Sequence, residues 1–395
     1  MYDIEALRRN EFPLSESEIY FNHASISPLP ARTRRRMVDV VTGLAEQPWT
    51  YFIKHGMEAS EALKEELAAM INAQGAEQIV PIPSTSSGLS AVAVALDWQA
   101  GDNVIFCEVE FPSNAYPWLS LQKLGVEARQ APAVNGGLTL EALAPLVDER
   151  TRVVAASAIQ FLSGQRTNLQ AVGAFCKARD IIFVVDAIQA AGHMPIDVET
   201  MHIDVLASGG QKSLLASPGA GFMYVREGVC AQLQPLPIGP NATQNYMHWL
   251  SYDLTPLPGA SRFAMGTWDV VGWIGLRESI GLLRELGLEN IEKHTVGLAS
   301  EAIAMLQRMG FEVITPAGHG PIVTFRSGLS IEETDALVTY FGEHRVTLVK
   351  HLDGRGRPHV RLSFHAYNTR EELHCFETIL EEGLARVRKD SNHNP

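Results

Sequence analysis

The sequence predicts an α/β protein: a mostly parallel central sheet with helices on both faces, followed by a smaller C-terminal α+β domain. Two observations carry this. Apolar runs such as Val104-Ile105-Phe106-Cys107, Val153-Val154-Ala155-Ala156 and Ile181-Ile182-Phe183-Val184-Val185 contain no polar residue, as befits strands covered on both faces. Stretches of helical length separate them, which is the alternation that parallel strands need for their crossovers.

The elements follow in order. Residues 57–74 read as an amphipathic helix with Leu63, Leu67 and Met70 on one stripe. Residues 79–82 are extended, and Pro83-Ser84-Thr85-Ser86-Ser87-Gly88 then opens an apolar helix to Leu96. Strands are expected at 104–107, 153–156, 181–185, 205–207 and 221–225, with a helix near 168–179. Residues 235–267 are rich in proline, glycine and asparagine and read as a long functional loop. Beyond it the pattern gives helices at 273–288, 295–309 and 370–388, and strands at 321–325 and 359–364. The expected division is a large domain over 15–268 and a small one over 269–395, with residues 1–14 packed on the small one.

Composition narrows the function. The chain has 395 residues, 46% apolar and 19% charged, and a net charge of −13. That charge disfavours nucleic acid and anionic membranes as partners. The four cysteines are scattered with no Cys-x-x-Cys pair, so neither a metal site nor a disulfide framework is expected. The N-terminus lacks an apolar signal core, and no run reaches transmembrane length. A reduced, cytoplasmic setting is the expectation.

The chemistry centres on Asp186 and Lys212. The apolar run 181–185 ends abruptly in Asp186, and Asp is depleted from strands, so it either caps the next segment or holds a ligand. Lys212 lies in Ser208-Gly209-Gly210-Gln211-Lys212, a crowded turn of small and polar residues that favours a partly buried amine of lowered pKa over a surface lysine. Pyridoxal phosphate needs such a pair: an amine to form its Schiff base and an acid to keep its pyridinium nitrogen protonated. The turn Ser84–Gly88 is either an ordinary helix cap or a phosphate cradle at a helix N-terminus. Phe111 is either core or a ring-stacking aromatic. Arg361 alternates with Val360 and Leu362, and is either an edge-strand charge or a clamp for a carboxylate.

Read together, these segments resemble the fold-type I pyridoxal-phosphate enzymes of aminotransferase class V, a group that includes cysteine desulfurases, isopenicillin N epimerase-like proteins and kynureninase. Phe183-Val184-Val185-Asp186-Ala187-Ile188-Gln189 is similar to the family's strand-Asp-x-x-Gln segment, and Ser208 to Lys212 to its Ser-Gly-x-Lys. Arg262-Phe263-Ala264-Met265-Gly266-Thr267 and Arg361-Leu362-Ser363 with Tyr367-Asn368-Thr369 resemble two further motifs. The resemblance implies Lys212 as Schiff-base lysine and general base, and Asp186 as pyridinium partner. It implies Gln189 and Gln160 at the cofactor's phenolic oxygen, Phe111 on its ring, and Thr85, Ser86 and Gln211 at its phosphate. Thr267 would reach the phosphate of a neighbouring subunit, making a homodimer with the active site at the interface. Arg361, His23 and Asn114 would bind substrate, and Trp49, Tyr51, His248, Trp249 and Arg355 stand as candidates at the mouth.

The implied activity is on an α-amino acid, as a lyase cleaving C–S or related β/γ bonds, or as an aminotransferase. The alternatives are an epimerase, a kynureninase-like hydrolase, or a non-catalytic α/β scaffold. The loop Leu352-Asp353-Gly354-Arg355-Gly356-Arg357-Pro358-His359 has no cysteine where a persulfide-relay desulfurase carries its nucleophile. The expectation is therefore an enzyme other than a desulfurase of that type. A nucleotide-binding enzyme is disfavoured, since no Gly-x-Gly-x-x-Gly follows an early strand.

Overall fold

The computed structural model describes residues 2–391 apart from 236, 237, 246 and 249. A short strand, β1 (Ile19–Tyr20), comes first. Seven strands then build the central sheet: β2 (Ile79–Ile82), β3 (Asn103–Cys107), β4 (Glu127–Ala131), β5 (Thr151–Ser157), β6 (Ile182–Asp186), β7 (Val205–Gly209) and β8 (Gly221–Val225). Their spatial order is β2-β8-β7-β6-β5-β3-β4. The pairings from β4 through β7 are parallel, and β8 runs antiparallel to both β7 and β2.

Unbroken apolar runs become strands here because each face of the sheet has its own core. Ile105, Val154, Ala156, Phe183, Val185 and Leu206 belong to one buried cluster. Their neighbours Val104, Phe106, Val153, Ala155, Val184 and Ala207 belong to the other. The split follows the two-residue alternation of a strand. Burying each large apolar side chain contributes about 1.5–3 kcal/mol.

A second sheet follows. β9 (Glu312–Val313) and β10 (Ile322–Arg326) come first, and β11 (Val346–Thr347) pairs in parallel with β1. β12 (Val349–Leu352) and β13 (Pro358–Ser363) complete an antiparallel sheet of order β12-β13-β10-β9. The N-terminal helix Ile4–Glu11 reaches the C-terminal one, Arg8 Nη1 lying 2.7 Å from Glu372 Oε1. Tyr2 adds a 2.9 Å hydrogen bond from its hydroxyl to the Ala366 carbonyl.

The fold is the fold-type I architecture that the sequence predicts. Five strands escaped prediction: β1, β9 and β11 are only two residues long, and β4 (Glu-Ala-Arg-Gln-Ala) and β12 (Val-Lys-His-Leu) stand at sheet edges, so they carry the polar residues that edges tolerate and lack an apolar run. The helices Ala31–Glu46 and Ile331–Glu343 were also unforeseen. Among the described residues no helix is long and apolar enough to cross a membrane.

Candidate active site

The C-terminal ends of the parallel strands converge on one cavity of about 420 Å³, the usual place for a ligand in a sheet of this kind. Ser157 ends β5 and Asp186 ends β6, and the two are register partners. β7 ends beside them at Gly209 and leads directly into Lys212.

The Lys212 turn is held by close backbone approaches that only glycine permits. A Cβ on Gly210 would lie 2.3 Å from the Ala220 carbonyl oxygen, and one on Gly192 would lie 1.8 Å from that of Ser213. Lys212 is only 8% exposed. Burial lowers its pKa to about 8; the Asp186 carboxylate opposes that shift, and the Arg361 cation adds to it. Asp186 is buried as well, and accepts a 3.0 Å hydrogen bond from the Ile188 N–H. Burial pushes its pKa up to about 6, against the pull of the Ile188 N–H and Lys212.

The serine-rich turn serves both purposes that its sequence allowed. Ser84 caps the helix Thr85–Ala95 in a reciprocal box with Ser87. Ser84, Thr85 and Ser86 nevertheless line the cavity at the helix N-terminus, where the dipole favours an anion. The Thr85 hydroxyl accepts a 2.8 Å bond from the Gly209 N–H, which ties this turn to the lysine turn. The Ser86 hydroxyl lies 2.7 Å from that of Ser113. Gln211 also lines the cavity.

Phe111 forms one wall, its ring centroid 5.2 Å from Lys212 Nζ. Phe161 meets that ring edge-on, with centroids 5.1 Å apart. Arg361 stands on β13, an inner strand of the small sheet, so the edge-strand reading of its charge does not hold. It is 2% exposed and donates to the Phe161 carbonyl at 2.7 Å and to Ser25 Oγ at 2.8 Å. Its Nε has no partner, and burial lowers its pKa to about 10. A buried guanidinium with two neutral partners is set up to receive an anion.

Lys212, Asp186, Thr85, Ser86, Phe111, Gln211 and Arg361 thus meet in one place. Other expected residues do not line the cavity. The Gln189 amide donates to the Ala24 carbonyl at 2.9 Å, holding the segment whose Ala24 and Ser25 line the cavity. The Gln160 amide donates to Glu110 at 2.9 Å. Asn114 accepts from the Trp118 indole, and His23 Nδ1 pairs with Ser27. Thr267 is exposed and outside the cavity. Trp49, Tyr51, His248 and Arg355 do not line it either, and Trp249 lies outside the described residues.

Three contributors were missed by the sequence reading. Ser25 supports Arg361. Glu110, buried and next to Phe111 in the chain, accepts from the Ser157 N–H at 2.9 Å, from the Ser157 hydroxyl and from Gln160. Burial pushes its pKa up to about 7, and nearby Asp186 adds to the rise. His351 enters the cavity from β12. A signal for His351 existed in the alternation that marked Arg361, had the hairpin partner strand been recognised.

A family profile described as aminotransferase class V matches residues 19–376. The chain belongs to the aminotransferase class V family. It is 29% identical over 393 residues to a probable cysteine desulfurase of Methanothermobacter thermautotrophicus, covering 95% of this chain and 96% of that one. A probable cysteine desulfurase of Pyrococcus abyssi is 27% identical, with 96% and 98% covered. The apo structure of a cysteine desulfurase from Thermococcus onnurineus superposes with a TM-score of 0.85 at 25% identity, covering 98% of this chain and 99% of that one.

These likenesses correct one expectation. The exclusion of a persulfide-relay cysteine desulfurase rested on a missing cysteine in a single loop, yet relatives and a structural neighbour matched over nearly the whole chain are named cysteine desulfurases. Among the described residues Cys107, Cys176 and Cys230 are buried, Cys375 is exposed, and none lines the cavity. Pyridoxal phosphate is the family's cofactor, and the residues fit it. The cavity supplies an amine, an enclosed carboxylate, a helix N-terminus rimmed by hydroxyls and an aromatic wall.

Proposed function

We propose that this enzyme cleaves the C–S bond of a cysteine-type α-amino acid. The observation that carries the reading is that Asp186 at the end of β6, Lys212 in the turn after β7 and Arg361 on β13 of the small sheet face one cavity. When bound, pyridoxal phosphate supplies an electron sink for charge developing at the substrate's α-carbon.

The chain's residues do the rest. Lys212 anchors the cofactor through its Nζ; once free, the amine takes and returns the α-proton, which a pKa near 8 suits. Asp186, enclosed and facing Lys212, holds the proton on the ring nitrogen. Thr85, Ser86, Gln211 and the helix N-terminus bind the phosphate, and Phe111 covers the ring. Arg361 binds the α-carboxylate and so fixes which α-substituent is labile. Gln189 and Gln160 act at one remove, by positioning Ala24–Ser25 and Glu110.

A homodimer completes this reading. Thr267 is exposed, and the neighbouring loop presents Leu250, Tyr252 and Leu254 at 93%, 91% and 71% exposure. So much exposed apolar surface suits burial against a second copy. Sedimentation equilibrium should return twice the chain mass, and a monomer would remove this part.

The test of the reaction is to incubate holoenzyme with L-cysteine or L-cystine. Pyruvate, alanine, sulfide and sulfane sulfur are assayed, alongside keto-acid-dependent amino transfer and loss of chirality. Sulfur release that disappears in Lys212→Ala supports the reading. Amino transfer or racemisation without sulfur release refutes it.

A further inference from the structure

The register of β12 against β13 sets Val349 opposite Arg361 and His351 opposite His359. Side chains two apart along a strand share a face, and directly paired residues share it too. His351 and Arg361 therefore stand on the same side of the small sheet as diagonal neighbours, and both line the cavity. The His351 ring meets Phe161 edge-on at 5.8 Å. Its Nε2 is buried and has no hydrogen-bond partner.

An enclosed nitrogen left unpaired costs about 1–3 kcal/mol. Packing against Phe161 does not account for a histidine here, since an apolar ring would pack without that cost. Burial, with Arg361, Lys212 and His359 adding to it, lowers the His351 pKa to about 4, so the imidazole is neutral. It brings hydrogen bonding to the cavity without a third positive charge beside Lys212 and Arg361.

Three groups on a substrate's α-carbon need places. In the function proposed above, on which this inference rests, Arg361 takes the carboxylate and Lys212 works where the amine and α-proton lie. The side chain is left, and His351 is the remaining polar group of the small sheet that faces the cavity with an unmet nitrogen. We propose that His351 is the specificity-determining residue: its imidazole hydrogen-bonds the polar end of a short substrate side chain, a thiol or hydroxyl on the β-carbon.

The test compares three ligands of similar size, L-cysteine, L-serine and L-alanine, on wild-type holoenzyme and on His351→Ala. Dissociation constants are read from the cofactor's absorbance change in the first moments after mixing, and sulfur release is measured separately. Loss of one hydrogen bond predicts that cysteine and serine bind about tenfold more weakly while alanine changes less than about twofold. His351→Leu, which fills the space beside Phe161 without a polar atom, should show the same selective loss, and His351→Gln should restore part of it. Equal weakening of all three ligands, or no change in any, overturns the proposal. A wild-type enzyme that releases no sulfur yet shows the selective loss leaves His351's role standing and removes the C–S cleavage reading alone.

Discussion

Asp186 and Lys212 tune one another across the cavity. The carboxylate raises the proton affinity of the amine, and the amine lowers that of the carboxylate, while burial drives each in the opposite direction. The outcome is an amine with a pKa of about 8 instead of the 10.5 of an ordinary lysine. Below that pH Lys212 is an ammonium ion, and above it a free base.

Competitive acylation of cofactor-free protein, with peptide mass spectrometry, should therefore show Lys212 half-reacted near pH 8. Asp186→Asn removes the group that favours the ammonium form, so the midpoint should fall. Arg361→Met removes a repelling cation, so the midpoint should rise. A Lys212 midpoint near 10 in wild type would mean that the amine is not enclosed as described.

Glu110 gives stability a pH dependence of a definite sign. Its carboxyl has a folded-state pKa of about 7 against an ordinary 4.5, so the folded state holds the proton more tightly than the unfolded chain. The associated stabilisation, on the order of 3 kcal/mol, is full below about pH 4.5 and is lost as pH rises through about 7. Glu110→Gln keeps the shape without the ionisation. Its thermal midpoint minus that of wild type should increase from pH 5 to pH 8, and a flat difference would contradict the burial of a titrating carboxyl.

Arg361 should act through the substrate's carboxylate. Arg361→Met should raise KM for the amino acid by about 10–100-fold, the scale of a lost charged hydrogen bond. Binding of an amine that lacks the carboxylate, such as cysteamine, should change little. Comparable losses for both ligands would point to collapse of the Phe161 and Ser25 contacts instead.

Phe111 should matter for cofactor retention. Phe111→Ala should weaken pyridoxal-phosphate binding about two- to tenfold, the size of a lost aromatic contact of about 0.5–1.5 kcal/mol, and Phe111→His should recover most of it. Equilibrium dialysis against free cofactor measures both. An unchanged constant would show that the ring wall lies elsewhere.

What the sequence revealed follows from how local each signal is. Asp186 ends a buried run and Lys212 sits in a glycine turn, and both features need only neighbouring residues. Ser84–Ser87 was legible as a helix start, though not that one turn caps the helix and also faces the cavity. Arg361 was visible by alternation, but its burial depends on β13 lying inside a sheet whose edge strand β12 has no apolar run. The same blind spot hid His351. Glu110 was hidden for another reason: its partners Ser157 and Gln160 join it only through the pairing of β3 with β5. Gln189, Gln160 and Asn114 were assigned by motif position to the cavity, but the bonds they make to Ala24, Glu110 and Trp118 depend on distant or buried partners that no motif specifies.

The most direct measurement is borohydride reduction of the holoenzyme followed by peptide mass spectrometry. One pyridoxyl adduct is expected, on Lys212, and it should be lost in Lys212→Ala together with the near-visible absorbance. An adduct on another lysine, or a colourless protein that takes up no added cofactor, would contradict it.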